Sequence, residues 1–322
     1  MIKIIKYCLI AQLILYCKLS FSVEKHTLIT DQVQHIDVNY RYQDKQYQLT
    51  GTLEKGRYIF NKTGKTTLNL ATLDWQPYVG RNLCNLGWSL QLAIAVLTAK
   101  DYRVQVNFYP WIRAVKMVES GAMEILYPEY FIEDSAASDI YPNRKRRELL
   151  VESNEMIGGN LSLFKHKESD FEFSGDLKEI QGKVVGVVRG YQNTPEFDAL
   201  MDKGLIKVVE AVDDEQQVRL LLAKRVELII GDPDVFQYVI RSLDASDDEK
   251  QYIQTHLEEL EPAVKYNHLY FAVSTKYGKW QQLLEDINLS LIEFTTSGEA
   301  DRIYQQGSHC ASENDELSTR RH

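Results

Sequence analysis

The hydrophobic rhythm of the chain changes twice along its length. Over residues 23–64 the segments HIDVNYRYQ, QYQLTGTL and GRYIFN alternate side-chain character with period two, as half-buried strands do. Gln43-Asp44-Lys45-Gln46 and Glu54-Lys55-Gly56 read as turns between them. A small β-rich extension is therefore predicted. From Thr67 the rhythm alternates between strand and helix: strands at 67–73, 103–109 and 123–127, helices at 86–99 and 111–119. Leu86, Leu90, Ala93, Ile94 and Leu97 mark one apolar face of the first helix. A second series begins near Gly182, with KVVGVV, LIKVVE and RVELIIG as strands and PEFDALMDK and DEQQVRLLLAK as helices.

Two consecutive α/β series imply two lobes. The strand-like connectors GGNLSLFKHK and NHLYFAVS flank the second series, and helices follow near 276–294 and 298–306. A chain that crosses over and returns through two connectors predicts a hinge. The expected organisation is lobe 1 from 65–160 with 265–308, lobe 2 from 161–264, and a disordered tail at 309–322. Asp244–Glu249 reads as a solvated loop. Gly64-Lys65-Thr66 has the ending of a phosphate-binding loop, but Ile59 stands where that loop needs glycine and a strand follows instead of a helix.

The first 22 residues differ from everything after them. Lys3 and Lys6 precede a largely apolar run, Tyr7–Tyr16, and Ser20-Phe21-Ser22 offers small residues for cleavage. This reads as a secretory signal peptide, too short for a transmembrane helix of about 20 residues. Cys17 raises the lipoprotein alternative, against which stands the bulky Tyr16 before it. A periplasmic location is expected. Loss of the leader removes three lysines and no acids, moving the formal net charge from −9 to −12. So acidic a chain is a poor partner for nucleic-acid phosphates. Cleavage leaves Cys84 and Cys310, which in an oxidising compartment read as a disulfide candidate. The alternative is two unrelated thiols.

The stretch from Thr67 to Met156 carries the chemistry. Its order is strand, aromatic loop (Asp74-Trp75-Gln76-Pro77-Tyr78), helix, strand, the run Pro110–Ala114 opening a helix that leads to SGAMEIL, and an arginine cluster before VES. With KVVGVVRG and KRVELIIGD this order resembles the bacterial extracellular solute-binding proteins of family 3, the polar amino acid-binding type, over Thr67–Gly307. The resemblance implies a periplasmic-binding-protein type II fold, α/β, with two lobes and two hinge strands. It implies capture of a small polar ligand for an ABC permease, by a monomer without cofactor or metal.

The resemblance also implies roles for particular residues. Trp75, Tyr78 and Trp111 would sandwich a ligand, since large rings bury area with few torsions to freeze and their faces attract cations. Arg146 matches the carboxylate-binding arginine, with Arg144 as its competitor, because a guanidinium fork grips a carboxylate by two parallel bonds. Thr194 opens the second-lobe helix, as ligand contact or only as its cap. Asp232 matches the acid that holds an α-ammonium, and equally reads as an N-cap before Pro233. Tyr127-Pro128-Glu129-Tyr130-Phe131 departs from the family's small polar residues, so Glu129 would add negative charge to the site. That departure turns expectation toward a cationic or larger polar solute.

Three readings follow. The first is a solute-binding protein feeding an ABC transporter. The second is a periplasmic sensor or orphan binder signalling to a membrane receptor. The third is a lyase or dehydratase on the same fold, with Glu129 as acid or base or else simply salt-bridged to the arginines. The chain has no nucleophile–His–acid arrangement, and His166, His256 and His268 lack metal-ligand spacing. It is therefore read as a binder, with no catalytic residues.

Overall fold

The computed structural model describes residues 36–307. The proposed leader, Cys310 and the tail 309–322 lie outside the described residues. Lobe 1 is built on the parallel strands β4 (Thr66–Thr72), β5 (Tyr102–Phe108) and β6 (Ile125–Glu129), with β4 in the middle. Helices α1 (Trp88–Thr98) and α2 (Trp111–Glu119) connect them. A short strand, β7 (Leu150–Glu152), pairs with β12 (Leu257–Ser274) and was not predicted.

The extension is part of this lobe. Strands β1 (Ile36–Tyr42), β2 (Lys45–Glu54) and β3 (Arg57–Phe60) form an antiparallel meander, and β3 pairs with β5 through Tyr58↔Val106. Ile36, Val38, Tyr40 and Tyr42 alternate inward along β1 into the lobe 1 core. Tyr40 stacks on Tyr47 with ring centroids 4.8 Å apart, and both Tyr40 and Tyr42 meet Phe294 of α7 (Trp280–Thr296). The three strands thus cap an open sheet edge and cover one side of the last long helix.

Lobe 2 orders its strands as β8 (Met156–His166), β11 (Leu228–Gly231), β9 (Val184–Val188) and β10 (Lys207–Ala211). Strands β9, β10 and β11 run parallel. Successive residues of β11 enter opposite cores: Leu228 and Ile230 pack with Phe197 of α3 (Pro195–Asp202). Ile229 packs with Val218 of α4 (Asp214–Leu222) and Phe236 of α5 (Pro233–Ser242). A sheet covered on both faces explains why KVVGVV is apolar throughout instead of alternating.

The expected loop at Asp244–Glu249 is corrected in part. Residues Asp247–His256 form helix α6, because Ser246 accepts a hydrogen bond from Glu249 N at 3.2 Å and Ile253 is buried beneath. Asp247, Asp248 and Glu249 fall in the first turn, where the helix dipole favours acids. A charge run that reads as solvated loop is here a helix start.

Two long strands join the lobes. β8 and β12 pair antiparallel from Leu257↔His166 to Leu269↔Met156, with register shifts between Leu260 and Lys265 and between Asn267 and Leu269. β12 then continues into lobe 1 against β6 and β7. Each strand belongs to both lobes. Cys84 is disulfide-bonded, at the turn preceding α1.

Phe60 on β3 has no exposed surface. Phe60→Ala is expected to cost about 3–5 kcal/mol, read as a lowered midpoint in urea unfolding. An unchanged midpoint would detach the extension from the stability of the lobe.

Candidate functional site

In both lobes the carboxyl ends of the parallel strands point at one cleft, where open α/β sheets bind their ligands. Lobe 1 contributes Leu73 and Trp75 after β4, Trp111 after β5, and Pro128, Glu129 and Tyr130 at the end of β6. Lobe 2 contributes Tyr191 and Gln192 after β9, and Leu269 of β12 closes the floor. Together they line a cavity of about 30 Å³.

Local structure holds the rings in place. The loop after β4 closes on itself, with Trp75 N donating to Val79 O at 2.7 Å and Val79 N donating to Trp75 O at 3.0 Å. The Trp75 ring stacks on Tyr78 at 4.4 Å and meets Tyr130 edge-on at 5.8 Å. Trp111 is the first residue of α2; its Nε1 donates across the cleft to Gly190 O at 3.1 Å, and Tyr191 meets it edge-on. Gly190 has φ +81°, and a Cβ there would lie 2.9 Å from Ile112 Cδ1 of the other lobe. The positive φ favours glycine at position 190, and any side chain there would press on the facing lobe.

A second cross-cleft bond lies beside the cavity. The Tyr78 hydroxyl donates to Asp232 Oδ2 at 2.8 Å. Asp232 Oδ1 accepts from Asp234 N and Val235 N, capping α5. Gly159 of β8 passes under this pair, where a Cβ would stand 2.2 Å from both oxygens.

Arg146 is buried behind the cavity wall. It faces Asp139 Oδ2 at 2.7 Å, Glu129 Oε2 at 3.5 Å and Glu119 Oε1 at 3.6 Å. Glu119, at the end of α2, is fully buried and also accepts from Ser138 Oγ and Asp139 N. Arg144 instead pairs with Glu148 on the surface at 2.8 Å.

The predicted ligand contacts therefore fall into three groups. Trp75, Trp111 and Glu129 line the cavity. Tyr78 and Asp232 bond to each other beside it. Arg146 is held by carboxylates of its own lobe, and Thr194 caps α3 by accepting from Phe197 N at 3.1 Å. Sequence reading did not place Leu73, Pro128, Tyr191, Gln192 and Leu269 at the site. For Tyr191 and Gln192 the usable signal was their place just past the end of a buried parallel strand.

No family model matches the chain, and no curated protein matches it in sequence. Solved structures do. A histidine kinase sensor domain with similarity to periplasmic binding proteins aligns with a TM-score of 0.60 at 16% identity, over 76% of this chain and 96% of that one. An ancestral arginine-binding protein bound to arginine gives 0.58 at 18%, over 75% and 98%. AbpA of Streptococcus pneumoniae, an amino acid ABC transporter substrate-binding protein bound to L-arginine, gives 0.57 at 15%, over 77% and 96%. This is the fold of a two-lobed periplasmic binding protein. At these identities the likeness is one of fold, and in fold it agrees with the family 3 resemblance. Among the described residues no helix is long and apolar enough to cross a membrane, and no cluster of His, Cys, Asp and Glu could hold a metal ion.

In this cleft, burial raises the acids. Burial pushes Glu129 up to about 7; the Arg146 guanidinium works against it, and Glu152 and Asp139 each add a smaller repulsion. Asp214, which accepts from the Tyr191 hydroxyl at 3.2 Å, rises to about 7, and Asp232 to about 6, both mainly by burial. Such groups titrate near 4 in an unfolded chain. Each holds its proton more tightly when folded, so its contribution to stability is full below about pH 4 and is lost as pH rises through about 6–7. His166, lowered by burial, works in the opposite sense.

Two predictions follow from these charges. In Glu129→Gln the fall of the unfolding midpoint between about pH 5 and pH 8 should be shallower than in the unaltered protein, as thermal melts across that range would show. Parallel curves would mean that Glu129 titrates as an ordinary surface acid. Arg146→Ala strands three carboxylates and should cost about 3–5 kcal/mol, whereas Arg144→Ala, breaking an exposed pair, should cost at most about 1 kcal/mol. Urea unfolding of both variants compares them, and equal costs would refute the buried role of Arg146.

Proposed function

We propose that this protein is a periplasmic solute-binding protein that captures a small polar or amino acid-like ligand by closing two lobes around it and delivers it to an ABC permease. One observation carries the reading: a single cavity is bounded by Trp75 and Trp111 from one lobe and by Tyr191 from the other. Neither lobe alone encloses it. A cavity of about 30 Å³ is far smaller than the ~300–1,000 Å³ of small-molecule sites, so a ligand enters only with the lobes further apart. β8 and β12, shared by both lobes, are the strands about which they would swing. The disulfide at Cys84 suits an exported protein, and we take Cys310 as its partner.

Two of the neighbours named above are binding proteins seen with arginine bound, which supports capture over chemistry. A sensing role is the second reading, favoured by the likeness to a histidine kinase sensor domain. Deleting the gene distinguishes the two: loss of solute uptake supports transport, and loss of a transcriptional response with uptake intact supports sensing.

The purified protein, screened by thermal shift against amino acids, amines, small peptides and organic acids, is expected to be stabilised by at least one of them. A ligand at 100 times its Kd adds about 2.7 kcal/mol of stability. Trp111→Ala should lose that shift, while Leu289→Ala, half exposed on α7, should keep it. A shift that survives Trp111→Ala would place the ligand outside the cleft.

A further inference from the structure

We propose that the cleft selects a primary amine that carries no carboxylate next to its ammonium, held between Glu129 and Gln192 with its hydrocarbon part against Trp75 and Trp111. The proposal rests on the capture reading and names its ligand class. Four observations support it.

The first is the charge of the lining. Glu129 is the charged side chain among the residues that bound the cavity. It is almost wholly buried, and a buried acid calls for a positive partner or a proton. The second is the state of Arg146. Its ion pairs with Glu119, Glu129 and Asp139 are all made within lobe 1, so opening the cleft does not free it. A ligand carboxylate would have to displace a resident one, against the surplus of three carboxylates over one guanidinium. Asp214 and Asp232 add negative charge from the facing lobe. An anionic group is repelled from both sides.

The third observation concerns hydrogen bonds. Gln192 Oε1 is buried without a hydrogen-bond partner, and Glu129 Oε2, though ion-paired to Arg146 Nη1 at 3.5 Å, accepts no hydrogen bond. They come from opposite lobes and line the same cavity. Both are acceptors, so the group that satisfies them must bring at least two N–H donors. A primary ammonium brings three; a quaternary ammonium brings none, and a carboxylate adds only acceptors. The fourth is the wall. Trp75, Trp111, Tyr130 and Tyr191 present ring surface to the cavity, which suits an apolar or aromatic body and adds cation–π attraction for the charged end.

Matched pairs differing only in the α-carboxylate test this: phenethylamine against phenylalanine, and cadaverine against lysine, each titrated calorimetrically into the purified protein. The expected result is that in at least one pair the amine binds ~10-fold or more tightly than its amino acid. Glu129→Gln should weaken the amine on the order of 10- to 100-fold, the worth of a hydrogen bond to a charged group, and erase the preference. Gln192→Leu, a second variant outside the buried charge cluster, should weaken it by roughly 5- to 10-fold. The inference is overturned if the amino acids bind as tightly as the amines, if Glu129→Gln leaves the preference intact, or if neither member of either pair binds. Should another solute bind where these pairs do not, the capture reading survives its ligand class. Should no solute bind, both fall.

Discussion

Arg146 stands where the end of α2, the end of β6 and the loop carrying Asp139 converge, and the ion pairs of Glu119, Glu129 and Asp139 all run to it. A lone buried carboxylate would neutralise itself or unfold its surroundings; three of them are tolerable only because one guanidinium is shared among them. The consequence reaches the cleft. Glu129 ends the strand that supplies the cavity wall, so the orientation of its carboxyl is set from behind by Arg146 and from its own backbone by Tyr130 N at 3.1 Å. Moving the guanidinium would move the charge that a ligand meets.

The two cross-cleft bonds have a different character. Tyr78 to Asp232 and Trp111 to Gly190 O each join a lobe 1 aromatic to a group at the carboxyl end of a lobe 2 strand. A net hydrogen bond contributes only about 0.5–1.5 kcal/mol, so neither can clamp the lobes irreversibly. Both are placed at glycines: Gly190 supplies the acceptor and Gly159 clears the space. The contact between the lobes is thus held by weak directional bonds over a shape that fits. The hinge strands, paired through two register shifts, carry one continuous strand order from lobe 1 into lobe 2.

How much of this was legible in the sequence depends on whether the feature is local. The alternation of strand and helix from Thr67 reflects local periodicity, and β4, β5, β9, β10 and their helices lie within a residue or two of the expected positions. Trp75 and Trp111 could be placed because the ends of parallel strands are visible as sequence boundaries. Arg146 could be singled out, but not its partners. Glu119, Glu129 and Asp139 lie on three separate elements, and no spacing along the chain says that they converge. The same holds for Asp232: its capping role is local and readable from Asp232-Pro233, while its bond to Tyr78 spans 154 positions. The extension shows the limit most clearly. Its period-two pattern announced strands, yet only the pairing of β3 with β5 makes them part of the lobe. The helix at Asp247 is masked in the sequence by its acidic composition, although a capping serine, Ser246, precedes it.

The charge balance also constrains what closure can mean. With the lobes together, Glu129, Asp214 and Asp232 are each raised by burial toward or into the range 6–7, so near neutral pH the closed cleft holds part of its surplus charge as bound protons. At each of the three, burial is the largest cause of the rise. In the proposed binding mode a cation would take the place of the proton, neutralising Glu129 while leaving the carboxylate free to accept. Proton and ligand would then be alternative occupants of one charge deficit, and by linkage each would weaken the other. The coupling would be strongest at Glu129, where a single side chain lines the cavity, ends a strand and completes the buried cluster around Arg146. A neutral residue at that position would leave the aromatic walls in place and remove the charged side chain that stands among them.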